Sequence, residues 1–242
     1  IAVFISALQR FSHAPTIIHV KRLNAVVRWA QRNPKAIAYR RFPANDGGTP
    51  TTHLRMISDA AFKKEDMSGH SMRGAAYCRC AGTTQESMIA STPCHLIDFV
   101  ARQQRRVTRA TFTSELQGAC DTVDKGFLLL QTLDEIQSGR VLPKEAMARR
   151  DHGGYSVPGA LYIDALSVYA AITATFIKTP ADNGTLVHCL YLRELLDTGV
   201  LASIIWQDTR DMLADGLTKL EAERGYIRAA MASCNLEVMP DA

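Results

Sequence analysis

Apolar and polar positions change rhythm several times along the 242-residue chain, and each change predicts an element. Helical spacing comes first. Val20, Leu23, Val26, Val27 and Ala30 recur at three- and four-residue intervals behind Pro15 and Thr16, and Asn33-Pro34 stops the run. Residues 43–50 (PANDGGTP) gather turn formers and mark a domain boundary. The period then drops to two. Residues 53–62 (HLRMISDAAF) set Leu54, Met56 and Ser58 on one face, which predicts a strand. Residues 71–80 (SMRGAAYCRC) predict a second strand, and a third ends near Val100. Short turn-rich links between them predict an antiparallel meander.

Beyond the meander the helical period returns. A long helix capped at Thr113 or Ser114 runs through Leu116, Ala119, Val123, Phe127, Leu130 and Leu133 to Gly139. Residues 140–158 read as a connector. Residues 160–163 (ALYI) predict a short apolar strand with Asp164 at its end. A helix through Val168, Ala171, Ile172 and Phe176 ends at Thr179-Pro180, another spans 186–198 before Gly199, a fifth strand spans 202–207, and a helix over 211–222 closes the domain. The order β-β-β-α-β-α-α-β-α predicts an α/β fold with one mixed five-stranded sheet and helices on both faces. The expected organisation is a helical segment over 1–45, the α/β domain over 46–222 and a tail over 223–242.

Composition narrows the class. Hydrophobic content of 47% and charged content of 21% are those of a globular protein, not a disordered one. No apolar run approaches the roughly 18 residues of a membrane span. The apolar start, IAVFISALQRF, lacks the basic region and cleavage site of a signal peptide. The first residue is Ile1 rather than Met, which suggests a piece of a longer polypeptide. Cys78, Cys80, Cys94, Cys120, Cys189 and Cys234 form no CxxC pair, so their scatter fits reduced structural thiols and an intracellular, non-secreted setting. The net charge of +4 permits a nucleic-acid partner without demanding one. Basic residues cluster in two places. Arg102, Arg105, Arg106 and Arg109 fall in one short segment, and Lys21, Arg22, Arg28, Arg32, Lys35, Arg40 and Arg41 in another. Either cluster also suits a solvated face.

Four acids fall at informative points of this order. Asp59 lies at the end of the first strand, Glu115 in the first turn of the long helix, Asp164 at the end of the fourth strand and Asp215 near the start of the last helix. Each has an ordinary structural explanation: a turn for Asp59, a helix dipole for Glu115 and Asp215, an N-cap for Asp164. Together they predict a carboxylate cluster at one side of the sheet. Oxygen-only ligands suit Mg²⁺ or Mn²⁺, and two such ions can clamp the attacking and leaving oxygens of a phosphodiester.

The same segments resemble the RNase H region of copia-type retrotransposon polyproteins. ISDAAF (57–62) resembles the family's SDADW element, RQQRRVTRATFTSELQGA (102–119) its KKQ-x-x-V-x-x-S-S-T-x-A-E-Y-x-A element, YIDALSVYAAI (162–172) its Y-x-D-N-x-S-A-I element, and DTRDMLADGLTK (208–219) its closing Q-x-A-D-x-L-T-K element. FSHAPTIIHVKRLNAVVRWAQRNP (11–34) resembles the end of the reverse transcriptase that precedes RNase H. The resemblance spans about residues 5–220. It implies an RNase H-like fold and hydrolysis of the RNA strand of an RNA–DNA hybrid. Asp59, Glu115, Asp164 and Asp215 would hold two Mg²⁺ or Mn²⁺ ions, the upstream reverse transcriptase would be a partner, and no membrane would be involved. The arginines at 102, 105, 106 and 109 would follow the nucleic-acid backbone. The chain departs from the pattern at Ala165, where the family has Asn, at Phe62, where it has Trp, and in WQDTRD (206–211), which lacks a histidine before the fourth acid. The family's H-I-D element is not evident in 181–194, and His188 there reads as structural. An inactive relic retaining only the fold and nucleic-acid binding is the alternative. An integrase or resolvase is a further one, disfavoured by the acid order and the ADGLTK ending.

Overall fold

The computed structural model describes residues 1–43, 50–61, 70–89, 91–108, 110–176, 183–219 and 225–237. Two helices, α1 (Ala2–Gln9) and α2 (Ile17–Arg32), precede strands β1 (Thr52–Ala61) and β2 (Met72–Ala81). A short helix α3 (Glu86–Ile89), strand β3 (Thr92–Gln103), the 28-residue α4 (Thr111–Ser138) and α5 (Pro143–His152) follow. Then come β4 (Gly159–Ile163), α6 (Leu166–Thr173), α7 (Asn183–Asp197) and β5 (Ser203–Trp206). A 3-10 turn (Thr209–Asp211), α8 (Asp215–Thr218), α9 (Gly225–Ser233) and β6 (Asn235–Leu236) complete the described chain.

The strands form one mixed sheet in the order β5-β4-β1-β2-β3-β6. The meander is antiparallel, with Asp59 opposite Gly74 and Gly74 opposite Ala101. β4 and β5 run parallel to β1, so the C-terminal ends of β1, β4 and β5 share one edge. The expected α/β class is the one observed. The sheet has six strands rather than five because Asn235–Leu236 pairs with Thr92–Pro93 at the outer edge.

Both faces of β1 are covered, which explains its nearly continuous burial. Leu54 and Met56 pack with Leu116, Val123, Leu130 and Ile172 beneath α4 and α6. Ile57 packs on the other face with Met212, Leu213, Leu217 and Ala230 beneath α8 and α9. α4 lies close against β1 because Gly126 has no side chain: a Cβ there would collide with the sulfur of Met56.

Several elements differ from the sequence-based expectation. α5 lies where a connector was expected; Pro143 stands at its first position, and Arg149 pairs with the buried Asp134 of α4. The closing helix is not continuous over 211–222: a 3-10 turn precedes a four-residue helix, and residues 220–224 lie outside the described ones. Gly225–Ser233 is helical where a tail was expected. The periodic face of α2 is not buried in a core, for Val20 is 50% and Leu23 45% exposed. The boundary loop falls mostly on residues 44–49, outside the described residues. Among the described residues no helix is long and apolar enough to cross a membrane.

Candidate metal centre

The acids meet where the two layers pass the end of the sheet. Asp59 lies near the C-terminal end of β1, and Asp164 directly follows β4. Glu115 reaches the same edge from α4 on one face, and α8 reaches it from the other. Carboxyl oxygens of Asp59, Glu115 and Asp164 lie within 4.8 Å of one another. This edge is where parallel strands of α/β folds place their ligands.

Each carboxylate is held by a specific donor. Thr218 of α8 donates its hydroxyl to Asp59, itself only 2% exposed. The Ala60 amide donates to Glu115 Oε2 at 2.9 Å. β4 ends at Ile163, opposite Ser58, so no parallel strand is left to accept from that amide. The Thr209 hydroxyl donates to Asp164 Oδ2 at 3.2 Å, and the indole of Trp206 donates to the Asp164 carbonyl at 3.0 Å.

Asp215 is not part of the tight trio. Its Oδ1 accepts from Lys219 Nζ at 2.7 Å, one helical turn on, and the same ammonium stands 4.0 Å from Asp59 Oδ1. Asp215 still acts on the trio electrostatically. Burial pushes the Asp59 carboxyl up to about 7, against the pull of Lys219 and Thr218, and the charges of Asp215 and Asp164 add to the rise. Burial, then Asp59 and Asp164, pushes Glu115 up to about 9. Burial and Asp215 raise Asp164. Burial opposes the charge of Lys219, but Asp59, Asp215 and Asp164 outweigh it and raise its pKa. Anionic oxygens crowded in this way are relieved by a cation, and an all-oxygen donor set fits a hard divalent ion such as Mg²⁺ or Mn²⁺.

Two of the ordinary explanations for these acids do not match the geometry. The N-cap of α6 is Ala165, with no side-chain cap bond, so Asp164 does not cap it. Glu115 is the fifth residue of α4 rather than a first-turn residue. Arg102 is exposed near the end of β3, across from Arg73, and Arg105 and Arg106 are exposed in the bend that follows. Arg109 lies outside the described residues. Gln104 fixes this bend: its amide nitrogen donates to the Ser114 carbonyl at 2.8 Å and its backbone N–H to the Ser71 carbonyl at 2.8 Å. The sequence reading missed Thr218, Lys219, Thr209, Trp206 and Gln104. The four-residue step from Asp215 to Lys219, and the place of Thr218 and Lys219 in the closing DGLTK segment, were the local signals available.

No protein-family model and no curated protein sequence matches the chain. Among solved structures it is similar to the N-terminal RNase H domain of a Mycobacterium tuberculosis protein, determined as a fusion with maltose-binding protein. The TM-score is 0.37 and the identity 13%, over 76% of this chain and 96% of that one. It is also similar to LC9-RNase H1, described as a type 1 RNase H with the type 2 active-site motif, with a TM-score of 0.36 and 12% identity over 82% of this chain and 92% of that one. The strand order and crossovers define a mixed α/β fold, with carboxylates gathered at the C-terminal ends of its parallel strands.

Proposed function

We propose that this chain is a metal-dependent ribonuclease H that hydrolyses the RNA strand of RNA–DNA hybrids, within a copia-type retrotransposon polyprotein. The observation that carries this is the convergence of Asp59, Glu115 and Asp164, three sequence-distant acids, within 4.8 Å at the end of the sheet. The four motif segments, in order, supply the retrotransposon assignment.

Asp59, Glu115 and Asp164, with Asp215 beside them, would hold Mg²⁺ or Mn²⁺, two ions in the full site. Bound there, such ions supply Lewis-acid activation of water and stabilisation of charge on the phosphate. The chain's own contribution is to fix the ligands. Thr218 orients Asp59, the Ala60 amide orients Glu115, and Thr209 and Trp206 orient Asp164. Arg102, Arg105, Arg106 and Arg109 bind the hybrid's backbone phosphates, which supply affinity without sequence reading. Recognition of RNA comes from 2′-hydroxyls in the shallow minor groove. The domain spans 46–222, the segment before it is the end of a reverse transcriptase that acts as partner, and the setting is intracellular.

The test is cleavage of a labelled hybrid by the full chain, with and without Mg²⁺, for parent and Asp164→Asn. Cleavage by the parent that needs Mg²⁺ and is lost in the variant is expected; equal cleavage by both removes Asp164 from the site. A second reading, a relic that binds hybrid without cutting it, is favoured by the pairing of Asp215 with Lys219 outside the trio. Hybrid binding with no cleavage under Mg²⁺ or Mn²⁺ would establish that alternative.

A further inference from the structure

The nuclease assignment gives Lys219 no role, yet its ammonium sits inside the acid cluster. We propose that Lys219 is a built-in competitor for the second divalent ion: it occupies the Asp215 side of the centre and must leave before a second ion binds there. The inference rests on the metal-centre assignment above.

The geometry divides the four acids unequally. Asp59, Glu115 and Asp164 face one another within 4.8 Å, whereas Asp215 Oδ1 is taken by Lys219 Nζ at 2.7 Å. The same nitrogen is 4.0 Å from Asp59 Oδ1, so it lies between the trio and the fourth acid. An ion that used both Asp59 and Asp215 would meet this positive charge at contact range. The lysine is placed there by the helix itself: α8 and its last turn set Asp215 and Lys219 four residues apart, on one face.

Displacement is feasible because the competitor is a lysine. Its side chain is 40% exposed, while Asp215 is 19% and Asp59 2% exposed. A four-carbon stem with a compact ammonium can swing to water without disturbing α8, whereas a guanidinium would hold the carboxylate with two planar donors. Occupation is therefore ordered. The first ion enters the trio, where Lys219 makes no close ion pair with Glu115 or Asp164 among the described residues and acts on them only at longer range. The second arrives only at higher concentration.

The test counts ions rather than turnover. Mn²⁺ is titrated into the full chain and followed by electron paramagnetic resonance for the parent, Lys219→Met, Lys219→Gln, Lys219→Arg and Asp164→Asn. The parent should bind one ion tightly and a second weakly. Lys219→Met and Lys219→Gln should each bind the second ion about tenfold tighter or more, since a full charge is removed at close range. Lys219→Arg should keep the second site at least as weak as in the parent. Two different neutral replacements guard against a folding defect in either one. A second-ion affinity that is unchanged or weaker in both neutral variants overturns the proposal and leaves Lys219 as a support for Asp215. Absence of ion binding in the parent, with no difference in Asp164→Asn, overturns the metal centre itself and this inference with it.

Discussion

Glu115 accepts a hydrogen bond from the Ala60 amide at 2.9 Å, one residue past Asp59, and so ties the long helix to the end of the first strand. The contact separates two roles of one side chain. Glu115→Gln retains an oxygen that can accept from Ala60, so chelated protein should unfold at nearly the parental urea concentration. Glu115→Ala leaves a buried amide without an acceptor and should cost about 1–3 kcal/mol. Both should lose Mg²⁺-dependent cleavage. Full cleavage by Glu115→Gln would remove the carboxylate from the centre.

Stability without metal should fall as pH rises. Asp59 and Glu115 are pushed up to about 7 and about 9, above their ordinary values. Between roughly pH 5 and 7 the folded state keeps protons on both groups that the unfolded chain has released, and up to roughly pH 9 it keeps one on Glu115. This contribution is complete below the unfolded pKa values and is lost as pH passes the folded ones. Each retained proton gives a slope of about −1.4 kcal/mol per pH unit. Ion binding requires the carboxylates, so Mg²⁺ affinity should rise over the same window, with proton release. Urea unfolding in chelator and calorimetry in buffers of different ionisation enthalpy measure the two trends. A chelated protein that gains stability over this range would contradict them.

Gly74 faces Asp59 across the strand pair, and a Cβ there would stand 2.7 Å from Thr218 Cγ2 and 2.8 Å from the Ala214 carbonyl oxygen. Gly74→Ala should push α8 off the sheet, weaken the Thr218–Asp59 bond and cost about 1–3 kcal/mol of stability. It should also weaken Mn²⁺ binding, although residue 74 is no ligand. Ion affinity equal to the parent's would show that α8 does not position the centre.

Arg102, Arg105 and Arg106 are exposed at the same edge as the acids. Replacing two of them with Ala should lower hybrid affinity and reduce the slope of log affinity against log salt by about one unit per lost phosphate contact. Fluorescence anisotropy at several salt concentrations reads this slope. An unchanged slope would assign these arginines to solvent.

Most of the sheet was legible because its strands carry simple patterns. Period-two alternation revealed β1, and the apolar run before Asp164 revealed β4. What escaped depends on contacts the sequence does not encode locally. α5 buries no residue and depends on Pro143 and the Arg149–Asp134 pair, so it offers no hydrophobic rhythm. α2 has that rhythm, yet no residue of it is buried, so periodicity overstated its place in the core. The trio was visible as acids at element ends. The division between it and Asp215 was not, because it depends on which neighbour the Lys219 ammonium chooses in three dimensions.

All six cysteines are free and buried, spread over β2, β3, α4, α7 and the turn after α9. Hydrogen bonding with Cys94 and burial hold the Cys78 thiol protonated, and burial does the same for Cys80 and Cys120. Since all six thiols are also buried, a maleimide added to the native protein meets almost nothing to alkylate. Each modification then timestamps an opening event. Cys234, beside the two-residue edge strand, should be tagged early, and Cys78 and Cys80, within the central meander, should be silent until the whole sheet parts. The scattered thiols thus make the chain its own unfolding clock, readable by mass spectrometry without any engineered label.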